Sequence, residues 1–360
     1  MNRILQFTIF FTIFIAIYFA LNYYVLYRIT TFFDLPRKGT FYALTAVATL
    51  SYLLTTVLSK NLPGMISKAL HCISSIWMGV MFFLFTALIL YEIVRPLLAY
   101  LKVSPMTAGI TILSIVAIVS ICALMNALFI DIKEVEVPMT GLKDEMTVVQ
   151  LSDVHVGSIR NSGFLQEIAE KVNKIGPDAV FITGDLVDGT APLRDDMFHG
   201  LDKIKAPIFM VTGNHETYEG LDEVMKIISK TKIRLLRNEV TKLNGVQIIG
   251  VDFSEDKQKL KETLDSLKIN KTRPSILLYH SPIGTEYANE AGINLQLAGH
   301  THNGQIFPFN FLVRIEFKHI MGLYKLDGTR LYVSPGTGTW GPPMRLGSRN
   351  EITKFRLVPS

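Results

Sequence analysis

Four stretches of this 360-residue chain hold no Asp, Glu, Lys or Arg: residues 4–27, 41–59, 69–91 and 106–129. Each is close to the ~20 residues a helix needs to cross the hydrocarbon core of a bilayer. They are apolar on every side, whereas a helix buried in a globular core carries a polar stripe. The first is longer than the ~7–15-residue apolar run of a cleaved leader, and no small-residue cleavage site follows it, so it reads as a retained span. Basic and aromatic residues mark the ends of the stretches, as interface anchors do: Arg3, Tyr27, Arg28, Lys60, Tyr91 and Arg95. With no Asp, Glu, Lys or Arg inside the spans, a transporter is disfavoured, and an anchor or a lipid-handling bundle fits better. Asn22 and Asn126 lie near span ends and read as interhelical hydrogen bonds or snorkelling contacts.

Composition divides at Ile130. Residues 1–130 carry eight Lys/Arg against two Asp/Glu; residues 131–360 carry 28 against 29. The chain's net charge of +5 therefore belongs to its apolar part. No basic globular surface is left for nucleic acid, and nucleic-acid binding is not expected. The two cysteines, Cys72 and Cys122, both sit in apolar runs, which excludes a thiolate metal site. The expected organisation is a four-helix transmembrane domain over residues 1–130 and a globular domain over residues 131–360. An even number of spans places the N-terminus and the globular domain on one side of the bilayer. Basic residues tie at five per side, and the dense basic first loop tilts the expectation towards an extracytoplasmic globular domain at the plasma membrane.

From residue 130 the pattern alternates as a strand does, so the globular part starts almost at the last span. Apolar β runs follow at residues 147–151, 179–183, 208–212, 246–251, 275–279, 295–298 and 331–334, with helical periodicity at 163–174, 221–229 and 257–267. This is an α/β pattern with too many strands for one small parallel sheet. The residues just after the strands carry the chemistry. Asp153 and His155 follow the first run, Gly184, Asp185 and Asp188 the second, and Gly213, Asn214, His215 and Glu216 the third. His280 follows the fifth, and Gly299, His300 and His302 the sixth. Ligands in open α/β sheets collect at the carboxyl ends of strands. Carboxylate, amide and imidazole without thiolate suit Mn, Fe, Zn or Mg. A single His-x-His or Gly-Asp is usually a turn or a surface accident; five such pieces in order, each ending an apolar strand, are not. His71, His199 and His319 fall outside the set and read as ordinary surface or interface residues.

These pieces resemble the ordered motifs D-x-H, GD-x-x-D, GNH-E/D, H and GH-x-H of the calcineurin-like metallophosphoesterase superfamily. Residues 236–239, 250–252, 299–305 and 336–345 are similar to its membrane-associated branch, the YkuE/YaeI-like phosphoesterases and transmembrane proteins with a metallophosphoesterase domain. Asn303 stands where that branch usually has Gly, and Pro335 where it often has Arg. The resemblance implies a four-layer αββα sandwich and a hydrolase acting on phosphomonoester, phosphodiester or pyrophosphate bonds. It implies two divalent cations, manganese first among the four metals. Asp153, His155, Asp185 and His302 would hold one, and Asp185, Asn214, His280 and His300 the other. A bridging carboxylate sets such cations about 3.5–4 Å apart, where they activate a shared water and clamp phosphoryl oxygens. His215, held by Asp188, would serve the leaving oxygen. Glu216 is expected to cap its turn, Arg345 to grip a phosphate oxygen or make a solvent-facing salt bridge, and Trp340 to stack, pack or meet the membrane. The short connection to the last span favours a lipid-linked or amphiphilic substrate, a UDP-2,3-diacylglucosamine-type pyrophosphatase being one instance. A non-catalytic scaffold would normally have lost a ligand, and none is missing. A protein phosphatase would carry Asp-Arg-Gly after the second motif, where this chain has Asp188, Gly189 and Thr190.

Overall fold

A computed structural model describes the chain from residue 3 to residue 360, without the side chains of residues 3–8, 10 and 11. The side chain of Arg3, an expected anchor, is among those not described. Contacts along the backbone separate a unit that runs to Met125, and also takes in Gly341–Met344, from a unit made of Asn126–Trp340 and Arg345–Ser360.

The first unit is helical: α1 (Arg3–Phe32), α2 (Gly39–Asn61), α3 (Met65–Tyr100) and α4 (Pro105–Asn126). All four are long and apolar enough to cross a membrane. The breaks between them are locally encoded. Ser104 accepts a hydrogen bond from the Thr107 backbone N–H at 3.1 Å, and Pro105 opens α4, where its missing N–H costs nothing. The third span extends further than the apolar run indicates. α3 continues past Tyr91 and through Pro96, which takes Glu92 into the helix. Glu92 pairs with Arg28 of α1 at 2.6 Å, and the Arg28 guanidinium lies 5.4 Å from the ring centroids of Phe32 and Tyr91. Asn22 is not at a helix end: it is buried in mid-α1, donates to the Tyr18 carbonyl and accepts from Trp77 Nε1 at 3.0 Å. That is the interhelical hydrogen bond, and snorkelling is ruled out by its depth. His71 is buried rather than superficial, with the Tyr52 ring 5.6 Å away.

The second unit is two six-stranded sheets. One has the order β1 (Ile130–Met139), β12 (Asn350–Pro359), β2 (Met146–Leu151), β3 (Ala179–Thr183), β4 (Ile208–Val211), β5 (Ile233–Leu235). The other runs β10 (Gly322–Leu326), β11 (Thr329–Val333), β9 (Leu295–Ala298), β8 (Ser275–Leu278), β7 (Val246–Gly250), β6 (Glu239–Leu243). The strands β2 to β5 are mutually parallel, as are β7, β8, β9 and β11. Most of them are buried on both faces, which is why they read as unbroken apolar runs. Val148, Phe181 and Phe209 of the first sheet meet Ile248, Ile276 and Leu297 of the second in one core. On the outer face of the first sheet lie α5 (Ser162–Ile175) and α7 (Leu221–Ile228), through Leu165, Ile168, Val224 and Ile228. On the outer face of the second lie α8 (Lys257–Ser266) and α9 (Thr285–Glu290), through Leu260, Leu264 and Ala288. This is the four-layer αββα sandwich. Two short helices complete it, α6 (Asn214–Tyr218) and α10 (Asn310–Glu316). The apolar runs do not mark β5, β6, β10 or β12, which are short or face solvent on one side; β12 alternates buried Ile352, Phe355 and Leu357 with charged Lys354 and Arg356.

Candidate metal centre

β2, β3 and β4 are neighbours in one sheet and β8 and β9 in the other, and the ligand-type residues sit on the turns that leave their carboxyl ends. Five are in the left-handed backbone region: Asp153 (φ 52°), His155 (53°), Asp185 (53°), His300 (71°) and His302 (50°). Such a conformation costs about 1–3 kcal/mol for a non-glycine residue and persists only when its surroundings hold it. Here they do. The Asp153 and His155 N–H groups donate to the Gly184 and Asp185 carbonyls, both at 3.1 Å. The His300 N–H donates to the Asp153 carboxylate at 3.0 Å, and the His215 N–H to Asp185 Oδ1 at 2.9 Å. Gly299 fits against Ser152 and Asp153 only because it has no Cβ.

The turns bring the side chains to one place. Ligand atoms of Asp153, His155 and His302 lie within 4.8 Å of one another, as do those of Asp185, His280 and His300. His155 Nε2 and His302 Nε2 are 3.0 Å apart, and His302 Nε2 is 3.3 Å from Asp153 Oδ1. His280 Nε2 is 3.2 Å from Asp185 Oδ2, 3.1 Å from Asn214 Oδ1 and 3.2 Å from His300 Nδ1. Asp185 Oδ2 also lies 3.9 Å from His155 Nε2, so one carboxylate faces both groups. Imidazole nitrogens packed this closely, with carboxylates among them and almost no solvent, form a donor set suited to hard or borderline divalent cations.

Protonation follows from the packing. Burial drives the pKa of His155 well down and that of His300 down to about 4, with neighbouring histidines adding to the effect, so both are neutral lone-pair donors. Asp153 and Asp185 are buried, but the histidines beside them, His302 and His280 respectively, pull both below the usual carboxylate range. Burial also opposes charge on His280, but Asp185 overrides it and raises the pKa to about 10. In the cation-free chain His280 is thus an imidazolium, donating through Nδ1 to the Thr183 carbonyl at 2.7 Å. Its folded pKa lies above the ordinary 6.5, so the stabilisation from its charge is whole below pH 6.5 and is lost as pH rises through about 10. The cation-free chain should therefore lose Tm over that window more steeply than His280→Gln. Added Mn should remove the difference, because ligation requires the neutral ring. Parallel melting curves for the two proteins would sink this reading.

Three residues have different jobs from those expected. Asp188 does meet His215, but through its backbone carbonyl, 3.0 Å from His215 Nδ1. Its carboxylate accepts from Thr190 Oγ1 at 2.5 Å and faces His155 Nδ1 at 3.6 Å. Arg345 neither faces solvent nor offers a free edge to phosphate. It is fully buried and donates to Asn350 Oδ1, the His302 carbonyl, Ser348 Oγ and the carbonyls of Gly336 and Gly338. These bonds use all five guanidinium N–H groups. Arg345→Lys should cost roughly 2–5 kcal/mol in a urea melt by orphaning those carbonyls. The surviving fraction should keep its KM for a small ester; a raised KM with unchanged stability would restore the phosphate-gripping role. Glu216 does far more than cap a turn. Its buried carboxylate accepts four backbone N–H groups, those of Gly213 (2.7 Å), Asp185 (3.0 Å), Leu186 (2.8 Å) and Val187 (3.1 Å).

Aromatic rings line the cluster. Phe253 lies 5.6 Å from His280 and 5.7 Å from His300, and Phe317 5.2 Å from His300. Trp340, half exposed, is 6.3 Å from His215, and Tyr218 5.8 Å. Phe253 follows β7 as the ligand residues follow their strands, and the strand-end rule would have found it had it been applied to rings. Pro335 is buried beside the loop held by Arg345, and Asn303 follows His302 with φ 53°. A cavity of about 500 Å³ lined by Lys257, Glu286, Glu316, Phe317 and Lys318 lies beyond Phe317 and includes none of the ligand residues.

The calcineurin-like phosphoesterase family profile matches residues 146–304. An uncharacterized metallophosphoesterase of Helicobacter pylori is 36% identical over 236 residues, covering 63% of this chain and 64% of that protein. The chain thus spans just under two-thirds of that relative's length. A transmembrane protein with metallophosphoesterase domain of Bos taurus is 32% identical over 271 residues, covering 68% of this chain and 61% of its own length. An uncharacterized metallophosphoesterase of Aquifex aeolicus is 33% identical over 218 residues, covering 58% of this chain and 83% of its own length. The profile runs from the first residue of β2 through the turn bearing His300 and His302, and that span supplies every clustered histidine and carboxylate; the chain belongs to the calcineurin-like metallophosphoesterase family.

Proposed function

We propose that residues 131–360 are a dinuclear-metal phosphohydrolase, carried at a plasma membrane by the four apolar helices and facing away from the cytoplasm. The observation that supports it best is the pair of ligand groups, Asp153–His155–His302 and Asp185–His280–His300, with Asp185 facing both. The four long helices and the Bos taurus relative named as a transmembrane protein support an integral membrane protein. Asp153, His155, Asp185 and His302 would hold one divalent cation, and Asp185, Asn214, His280 and His300 the other, manganese being the first to test. When bound, such a pair supplies positive charge to the phosphoryl oxygens and to an attacking water.

The chain's own residues do the rest. Thr183 and the Asp188 carbonyl each engage one ring nitrogen, of His280 and His215 respectively, and so aim the other inward. His215 Nδ1 donates to the Asp188 carbonyl, which leaves Nε2 as the ring nitrogen that would serve a leaving oxygen. Such assistance is worth about 10²–10⁴-fold and shrinks when the leaving group is already good. His215→Gln should keep both metals, lose rate in that range on an alkyl phosphoester and lose much less on nitrophenyl phosphate. Equal losses on both, or a lost metal, would show that His215 has another task. Because the Asp188 carboxylate faces His155 instead, Asp188→Asn should weaken metal binding without reproducing the leaving-group dependence.

A further inference from the structure

The C-terminal unit carries an apolar ridge that its own packing does not explain. α10 has no buried residue, yet Phe311, Leu312 and Ile315 project from it, Ile315 with 81% of its surface open. Positions i, i+1 and i+4 share one helical face. The exposed Phe307 extends the ridge, its ring 5.6 Å from Phe311. Arg314 and Glu316 of α10 and Lys318 just beyond it, all exposed, flank it. Contiguous exposed apolar side chains rimmed by polar ones mark an interaction surface.

Hydrogen bonds tie this ridge to the two places that give it meaning. The Phe307 N–H donates to the Leu346 carbonyl at 2.9 Å, and the preceding residue in that loop, Arg345, offers its carbonyl to Asn126 Nδ2 at 3.3 Å. Asn126 is the last residue of α4. The next carbonyl, that of Ala127, accepts from Arg160 Nη2 at 2.6 Å and from Asn350 Nδ2 at 2.8 Å, which pins the start of the unit to the same loop. Leu128 and Phe129, between α4 and β1, are exposed as well. At the ridge's other end Phe317 packs on His300, and Gln305 exchanges two 2.9 Å hydrogen bonds with the Trp340 backbone beside His215. Ridge, metal cluster and the chain's exit from its last apolar helix therefore lie at one end of the unit.

We infer that α10 and Phe307 form an interfacial insertion element that dips into the headgroup–acyl boundary of the bilayer and holds the mouth of the metal centre at that depth. A short helix with large apolar side chains on one face and basic residues beside them is suited to that boundary. The loop that holds Phe307 is bonded to Asn126, the last residue of a helix long and apolar enough to cross a membrane, so the boundary is in reach without any further anchor. Resting on the phosphohydrolase reading, the consequence is a substrate class: phosphoesters that reside in the membrane and present their phosphate to the pocket from the headgroup layer.

The test uses the full chain with Cys72→Ala and Cys122→Ala, in vesicles of phosphatidylcholine with phosphatidylglycerol, spin-labelled at single cysteines. A label at Ile315→Cys should be accessible to oxygen and shielded from aqueous nickel chelate, with a contrast at least about tenfold above Glu223→Cys on α7, as for a buried interfacial face. Ile118→Cys in α4 reports separately on the anchor. A shielded label at 118 with an open, aqueous label at 315 overturns the insertion while leaving the anchor intact. A 315 label shielded from both reagents would mean a protein partner or a second copy covers the ridge, and also overturns it. For the substrate class, the triple variant Phe311→Ser, Leu312→Ser, Ile315→Ser should hydrolyse soluble nitrophenyl phosphate at the wild-type rate. It should lose about tenfold in kcat/KM on hexadecyl nitrophenyl phosphate carried in the same vesicles. Equal rates for variant and wild type on the vesicle-borne ester reject that class. No hydrolysis of either ester by the wild type rejects the phosphohydrolase reading and the class with it, and the spin labels still decide the insertion.

Discussion

Asp185→Asn is expected to release metal from both positions and to lower hydrolysis by far more than the ~10–100-fold typical of residues that only support ligands. The substitution is nearly isosteric, so the effect isolates charge. Asp185 Oδ2 is the oxygen that faces both His280 and His155, and Oδ1 holds the His215 N–H. An amide retains one carbonyl oxygen and loses the anion that two cations would share. It also removes the cause of the raised His280 pKa, so the pH dependence of the cation-free chain should flatten in the same variant. Elemental analysis, kinetics on nitrophenyl phosphate and a melting series across pH each read a different part of this. Wild-type metal content in Asp185→Asn would remove the carboxylate from its bridging position.

Glu216→Gln should be the most damaging change at a residue that touches no cation. The carboxylate accepts four backbone N–H groups drawn from the turns after β3 and β4. Glutamine can accept with one oxygen only, and its NH₂ group would face N–H donors. Two buried donors are left unpaired at about 1–3 kcal/mol each, or roughly 2–6 kcal/mol together. The turns so released carry Asp185 and Asn214, so metal affinity should fall along with stability. Glu216→Asp, which keeps both oxygens on a shorter stem, should recover part of both. If Glu216→Gln melts like the wild type and keeps its metals, the carboxylate does not organise these turns.

The contrast between Asp185 and Glu216 shows what a sequence exposes. The ligand-type residues are legible because they follow apolar strands, whose carboxyl ends gather ligands in open α/β sheets; sorting seven of them into two cation sites rests on the family resemblance. The α/β class is legible for the same reason, since strands buried on both faces read as unbroken apolar runs; the four-layer arrangement is implied only by the family resemblance. Roles that depend on backbone partners are not legible. Glu216 and Arg345 act on N–H and C=O groups that every residue carries, so nothing in the residue types distinguishes a phosphate-gripping arginine from one that saturates carbonyls. The Asp188–His215 contact is of the same kind, since it is made by a carbonyl where a carboxylate was expected. Strands β5, β6, β10 and β12 escape notice because short or one-sided strands lack the continuous apolar run. Glu92 lies one residue past the apolar stretch in α3, where composition alone ends the span, and it pairs with Arg28 from within the continuing helix.

Metal counting against activity decides whether this chain is a two-cation hydrolase. Full-length protein purified without chelator would be stripped, titrated with Mn, and followed by elemental analysis and nitrophenyl phosphate hydrolysis in the same samples. Activity should rise only as the second equivalent binds, saturate at two metals per chain, and fall with the loss of both equivalents in Asp185→Asn. Full activity with a single tightly held metal, or hydrolysis that persists in stripped protein, would contradict the two-cation reading.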